Sequence, residues 1–325
     1  YNGSYISSIQ KIDFSNDTAT APQIASLPYA YNNRATVGNS SYAWVHPGHT
    51  PAGTNLQRFD YSNDTSATTT KGSTPTGESN DNTGTENFGY FQASYPESRI
   101  FRLDYANDTS PTVFKVNRSV SNQIYNGGAA SNSSYGYFAG GGQNGTAGGT
   151  TMDRIDYSND TAALTQKGPL TSNQTYGIAA TGSANYAYWS GGTGGSGPAP
   201  GPRSTTDRLD YSNDTSACVT KGPLTSVKYK GSSTGNRSYG YYSGGQPGGG
   251  QSDVDRLDYS SDTTAMAPKG PLSQASLGHS SESSRANALP TSGPIPVTVD
   301  KGADGYLIAG PLGPAYGYVS GGKDG

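Results

Sequence analysis

The chain has a single cysteine, Cys218, so no disulfide can form within it. Small secreted domains often rely on disulfides, though a secreted chain need not have them, and their absence speaks against an ordinary animal secreted protein. No apolar run approaches the roughly 20 residues that a membrane-crossing helix needs, and membrane insertion is not expected. Lys and Arg number 21 against 24 Asp and Glu, with the signs interspersed. Without a basic stripe, a nucleic-acid partner is not expected either. No segment carries a helical apolar period of useful length. There is no nucleophile elbow, phosphate loop or nucleotide fingerprint. The Gly-rich stretches lead from strand to strand and not into a helix N-terminus, so they do not cradle phosphate. The first residue is Tyr1, with neither Met nor a signal-peptide pattern, which reads as a processed chain or a fragment.

Hydrophobic residues make up only 31%, while Gly reaches 46 and Tyr 25. Disordered chains are poor in aromatics, and Tyr is a common strand residue. Many thin layers of small residues and Tyr fit these numbers. The decisive pattern is a repeat. Versions of Asp-Tyr-Ser-Asn-Asp-Thr begin at Asp13, Asp60, Asp104, Asp156, Asp210 and Asp258. A spacing near fifty residues is the mark of a propeller or a solenoid.

One unit shows the plan. Residues 176–181 read as a first strand, 182–185 as a turn and 186–190 as a second strand ending at Gly191-Gly192. A Gly/Pro-rich loop leads to a third strand with period-two alternation over 207–211. Ser212-Asn213-Asp214-Thr215 is a tight turn, its Asp and Thr satisfying turn amides. A fourth strand starts at Ala217 and closes at Gly222-Pro223. Four short antiparallel strands make a propeller blade.

These units resemble the kelch repeat. The aromatic strands run into Gly140-Gly141, Gly191-Gly192, Gly244-Gly245 and Gly321-Gly322, and the corner Lys-Gly-Pro-Leu starts at Lys167, Lys221 and Lys269. The resemblance implies an all-β, six-bladed propeller covering the chain as one domain, 1–325. The kelch Trp after Asp-Thr is replaced here by Ala19, Ser66, Ser110, Ala162, Ser216 and Thr264, so packing between blades must rest on other residues. The wording of the repeats also resembles tail-fibre-like repeat proteins of marine cyanobacteria and their phages.

The N-terminus starts inside a repeat, with a third strand at 9–14 and a fourth over about 18–27. The C-terminus ends in a second strand at 315–322. Both ends in one blade would close the ring and remove exposed edges. Pairing with a neighbouring molecule by strand addition is the other option. Residues 280–314 break the pattern and read as an elaborated loop or a contact surface.

Several residues invite chemistry. Cys218 falls in a strand-like stretch and reads as packing. His46-Pro47-Gly48-His49 is a His pair without an evident third zinc ligand. The repeated Asp-X-Ser-Asn-Asp lacks the spacing of a calcium loop. The kelch resemblance brings in a copper oxidase, but Cys218 lies on an outer strand, far from a central channel. No cofactor, metal or catalytic residue is therefore expected. Trp44, His46, Trp189 and Tyr242 are the candidates for stacking on sugar rings, against the alternative that they are blade core. Twelve Asn-X-Ser/Thr sequons occur. Asn16, Asn63, Asn107, Asn159 and Asn213 lie in the Asn-Asp-Thr turns, and Asn39, Asn132 and Asn236 in the first-to-second-strand turns. They are glycosylation candidates, or simply good turn formers. The long Gly/Pro loops 141–150, 191–206 and 244–252 lie on the opposite face, where binding sits on rigid scaffolds.

The expected function is non-enzymatic. It is an extracellular or virion-surface adhesion module of tail-fibre type, binding a cell-surface glycan or host receptor as a homo-oligomer or within a larger assembly. The alternative is a structural subunit of an extracellular fibre or coat, glycosylated at the repeated turns.

Overall fold

A computed structural model describes residues 5–30, 33–46, 48, 54–74, 81–93, 98–119, 124, 126–141, 149–171, 174–194, 201–283 and 316–323. Six four-stranded antiparallel sheets form a closed ring of six blades. Blade one is Thr36–Gly38, Tyr42–Val45, Asn55–Asp60 and Thr69–Ser73. Blade two runs from Asn82 to Asn117, blade three from Gly128 to Lys167, blade four from Gln174 to Lys221 and blade five from Ser232 to Lys269. Blade six joins the two ends of the chain. Its inner strands are Ser280–Ser283 and Tyr316–Lys323, and its outer strands are Tyr5–Asp13 and Gln23–Ser26. Closure is therefore within the molecule, with Tyr5 opposite Lys323 and Asp13 opposite Tyr316.

Residues 280–283 form the innermost strand of blade six, so the irregular segment expected over 280–314 starts later. The rest of it lies outside the described residues. The fourth strand of blade four begins at Val219, two residues after the expected start. Cys218 stands just before it, and its amide donates to the Pro169 carbonyl of the preceding blade at 2.9 Å. The thiol is buried, which pushes its pKa up to about 12, aided by the charge of Asp207.

The repeated turn is a single 3-10 turn. Asp60 caps it by accepting from the Ser62 amide at 2.8 Å, and Asp104, Asp156, Asp210 and Asp258 do the same in their blades. The second acid of the motif does not serve the turn, contrary to the sequence expectation. It reaches back to the preceding blade. Asp108 accepts from Trp44 Nε1 at 2.9 Å, Arg58 at 3.0 Å and Lys71 at 3.2 Å. Asp160 takes Tyr90, Arg102 and Lys115, and Asp214 takes Tyr137, Arg154 and Lys167. Asp262 takes Tyr188, Arg208 and Lys221, and Asp17 takes Tyr241, Arg256 and Lys269. The sixth junction is thinner, with Lys11 at 2.6 Å and Tyr318 at 3.4 Å from Asp64. Charge-assisted bonds of this kind are roughly twice as strong as neutral ones.

Stacked aromatics take the place of the missing kelch Trp. The pairs Trp44–Tyr105, Tyr90–Tyr157, Tyr137–Tyr211, Tyr188–Tyr259, Tyr241–Phe14 and Tyr318–Tyr61 span all six junctions, with centroids 4.2–5.3 Å apart. Each joins a second-strand ring to the first ring of the next blade's turn. The Lys-Gly corner docks on the same turn. Gly222 N donates to the Asp262 carbonyl at 2.8 Å, and a Cβ on Gly222 would lie 1.8 Å from the Thr264 carbonyl oxygen. That approach excludes any larger residue.

Candidate functional site

The first strand of each blade faces the ring axis, running from the face of the long loops to the face of the turns. Six residues before the first-to-second-strand turn, the blades carry Asn33, Asn126, Gly177, Lys230 and Gly278 in blades one, three, four, five and six. All five are left-handed, with φ of 51°, 53°, 73°, 57° and 62°. The blade-two equivalent, Ser79, lies outside the described residues. Asn33, Asn126 and Lys230 are the only described non-glycine residues with positive φ.

A chain of backbone bonds links these positions around the axis. Asn33 N donates to Gly278 O at 2.8 Å, Gly278 N to Lys230 O at 2.8 Å, Lys230 N to Gly177 O at 2.9 Å and Gly177 N to Asn126 O at 2.7 Å. Backbone strain of order 1–3 kcal/mol per residue persists where surroundings over-determine it, and it clusters at functional sites. Among the described residues non-glycine positive φ is confined to this rim, and only Lys230 is of a type that adopts it at such a cost.

Within the rim lies an open cavity, about 530 Å³ with the solvent space at its mouth included, lined by Arg34, Asn82, Asn126, Lys230, His279 and Ser281 among others. It shares Asn82, Ala129, Ala180, Ser233 and Ser281 with a second space of about 520 Å³ that continues toward Thr83, Thr181, Thr234 and Glu282. The two form a polar axial channel. Arg34 is buried, and its Nη2 donates to the carbonyls of Ile6 and Tyr29, both at 3.2 Å. His279 is buried between Ser243 and Ser276, 3.2 and 3.1 Å from its two ring nitrogens. Burial, with a contribution from the Arg34 charge, holds its pKa down at about 3, so the ring is neutral.

Aromatics flank the rim. The Lys230 ammonium lies 4.9 Å from the ring centre of half-buried Tyr176, whose ring is 6.3 Å from Tyr229. Tyr29 reaches this region through its carbonyl, which accepts from Arg34, and its side chain is exposed. The Gly/Pro loops on this face are stitched to their neighbours. Arg203 pairs with Lys228, Tyr229 with Gln246 and Gln251 with Ser276. The described parts of these loops thus form a shared platform for blades four to six.

The sequence-derived stacking candidates lie elsewhere. Trp44, His46, Trp189 and Tyr242 are all at most 2% exposed. They belong to the blade cores and offer no ring face to a sugar, which corrects the expectation. Trp44 is held by Asp108, Trp189 Nε1 by Gly128 O at 3.0 Å, and His46 Nδ1 accepts from Gly48 N at 2.9 Å. His49 lies outside the described residues. No group of three His, Cys, Asp or Glu side chains suited to a metal occurs among the described residues. The turn asparagines Asn16, Asn63, Asn107, Asn159 and Asn213 are exposed. Asn39, Asn132 and Asn236 use Oδ1 to accept two backbone amides each.

Comparison with known proteins bears on the fold. No family model and no curated protein matches the chain. The chain is similar in fold to YjhT. That solved structure aligns with a TM-score of 0.62 over 79% of this chain and 88% of its own, at 12% identity. At that identity the likeness to YjhT is one of architecture. A propeller is compatible with binding or adhesion roles, and the function must be argued from the site.

Proposed function

We propose that the protein is a non-enzymatic adhesion module, presented outside the cell or on a virion surface, that binds saccharide at the axial mouth on its loop face. The observation that carries this reading is the convergence at one mouth of strained backbone, a polar cavity and flanking tyrosines. Tyr pairs an apolar face with a polar tip, which suits stacking on sugar rings. The acids of the turns are engaged in blade-to-blade junctions, which supports binding over catalysis. A phage tail-fibre setting fits such a module, because weak sites on a symmetric assembly gain avidity through multivalency.

The expected result is saturable binding to host-envelope polysaccharide that weakens about tenfold in Tyr176→Ala, equivalent to about 1.4 kcal/mol. Immobilised polysaccharide and biosensor titration would measure it. Absence of binding at about millimolar saccharide, where the free energy is only about −4 kcal/mol, sinks the reading.

The exposure of the five turn asparagines favours a second reading, a glycosylated structural subunit of a fibre or coat. Peptides from the protein of its natural source should then carry mass beyond that of their amino acids. The excess should map to peptides containing Asn16, Asn63, Asn107, Asn159 or Asn213. Bare peptides there remove this reading.

A further inference from the structure

We propose that the axial mouth recognises an oxyanion, the carboxylate, sulfate or phosphate group of a saccharide, and that Lys230 and Arg34 supply the complementary charge. The inference rests on the binding reading above and names the chemical class that site would take.

Three observations carry it. First, the cavity is lined by two cations, and no carboxylate is among its described lining residues. Glu282 lines the further part of the channel, toward the turn face. Second, Arg34 is 1% exposed, and its Nη2 is fixed by the Ile6 and Tyr29 carbonyls. A guanidinium held in this way is preorganised and loses little freedom when it meets an anion. Its field reaches the cavity, since it contributes to keeping His279 uncharged. Third, the rest of the wall offers neutral polar groups. Asn82, Asn126, Ser232, Ser233, Ser280 and Ser281 can serve the hydroxyls of the same ligand.

The repeat supplies an internal comparison. Positions equivalent to Lys230 carry Asn33, Asn126, Gly177 and Gly278, residue types that adopt positive φ at low cost. Lysine does not share that ease, yet it stands here with φ of 57° and its ammonium over Tyr176. The fold tolerates backbone strain at a place where a small neutral residue would serve the ring equally well.

The test is isothermal titration of the intact protein with glucuronate, glucose 6-sulfate and glucose 6-phosphate, with glucose as the neutral control. At least one charged sugar should bind about tenfold more tightly than glucose, and that preference should shrink as salt rises from about 0.01 M to 1 M. The best ligand among the three identifies the source of the oxyanion. Lys230→Asn should lower that affinity about tenfold with little change for glucose. Asparagine already occupies this conformation at Asn33 and Asn126, so the variant keeps the rim. The salt series on the unaltered protein tests the idea even if the variant fails to fold. Equal affinity for glucose and the charged sugars overturns the inference and leaves the adhesion reading standing. So does a Lys230→Asn protein with unchanged preference. Charged-sugar binding without retention on envelope polysaccharide does the reverse. If no sugar binds, the inference falls.

Discussion

Asp17→Ala is expected to lower the stability of the ring by about 3 kcal/mol, read as a shift in the urea midpoint. The carboxylate stands where blade five meets the N-terminal strands, and Tyr241, Arg256 and Lys269 all point to it. Removing it leaves two partly buried cations facing each other without their anion. Burial alone would raise the Asp17 pKa, but bonds from Lys269, Tyr241 and Arg256 outweigh it and hold the carboxyl below 3.8. A lowered folded-state pKa gives stability that is present above the unfolded value and lost as pH falls through the folded one. The normal protein should therefore weaken below about pH 4 through this group, and Asp17→Ala should lack that component. Asp64→Ala provides the contrast. Among the described residues its carboxylate meets one cation and a distant tyrosine, so its loss should cost less than half as much. Equal losses at the two junctions would mean that the cations around each acid do not set the strength of its junction.

Asp81→Asn is expected to act in the opposite sense, and only above mildly acidic pH. Asp81 is 1% exposed, and among the described residues neither of its carboxyl oxygens meets a hydrogen-bond donor. Arg118 approaches to 3.7 Å, but its other bonds go to Asp153, Gln92 and the Phe138 carbonyl. Burial raises the Asp81 pKa to about 7 and the Arg118 charge recovers part of the cost. A folded-state pKa above the unfolded 3.8 means that stability is full below 3.8 and is lost as pH rises to about 7. The loss at full ionisation is on the order of 4 kcal/mol. Urea unfolding at pH 5 and pH 8 should show the normal ring weakening while Asp81→Asn holds steady. If both fall together, Asp81 is not the cause.

Much of the architecture could be read from the letters. Six copies of one motif, aromatic strands ending in Gly-Gly and a chain that begins and ends inside a repeat led to a ring of six blades closed by its own termini. The junctions were harder. The Asp of Asn-Asp-Thr, the Arg of Asp-Arg-Leu-Asp and the Lys of Lys-Gly-Pro-Leu are all conspicuous repeats, but Arg154 and Asp214 meet across a blade boundary that no local pattern reveals. Tight turns usually employ their own Asp, and here that part falls to the first acid of the motif and not the second. Trp44 and Trp189 misled for a related reason: an aromatic beside a turn looks available until the neighbouring blade covers it. The axial rim left no trace at all. Asn33, Gly177 and Lys230 share a backbone conformation and no side-chain chemistry.

The junctions have a polarity. Each blade offers an acid and an aromatic ring on one side, and an aromatic ring with cations on the other, so the contact is head-to-tail and not two-fold. A gene segment that encodes one repeat therefore carries both halves of the coupling. Duplicating it in frame would insert a blade able to join both neighbours from the outset. Such a chain would gain a blade without inventing a new contact, since the added unit would present the same acid, rings and cations as its neighbours.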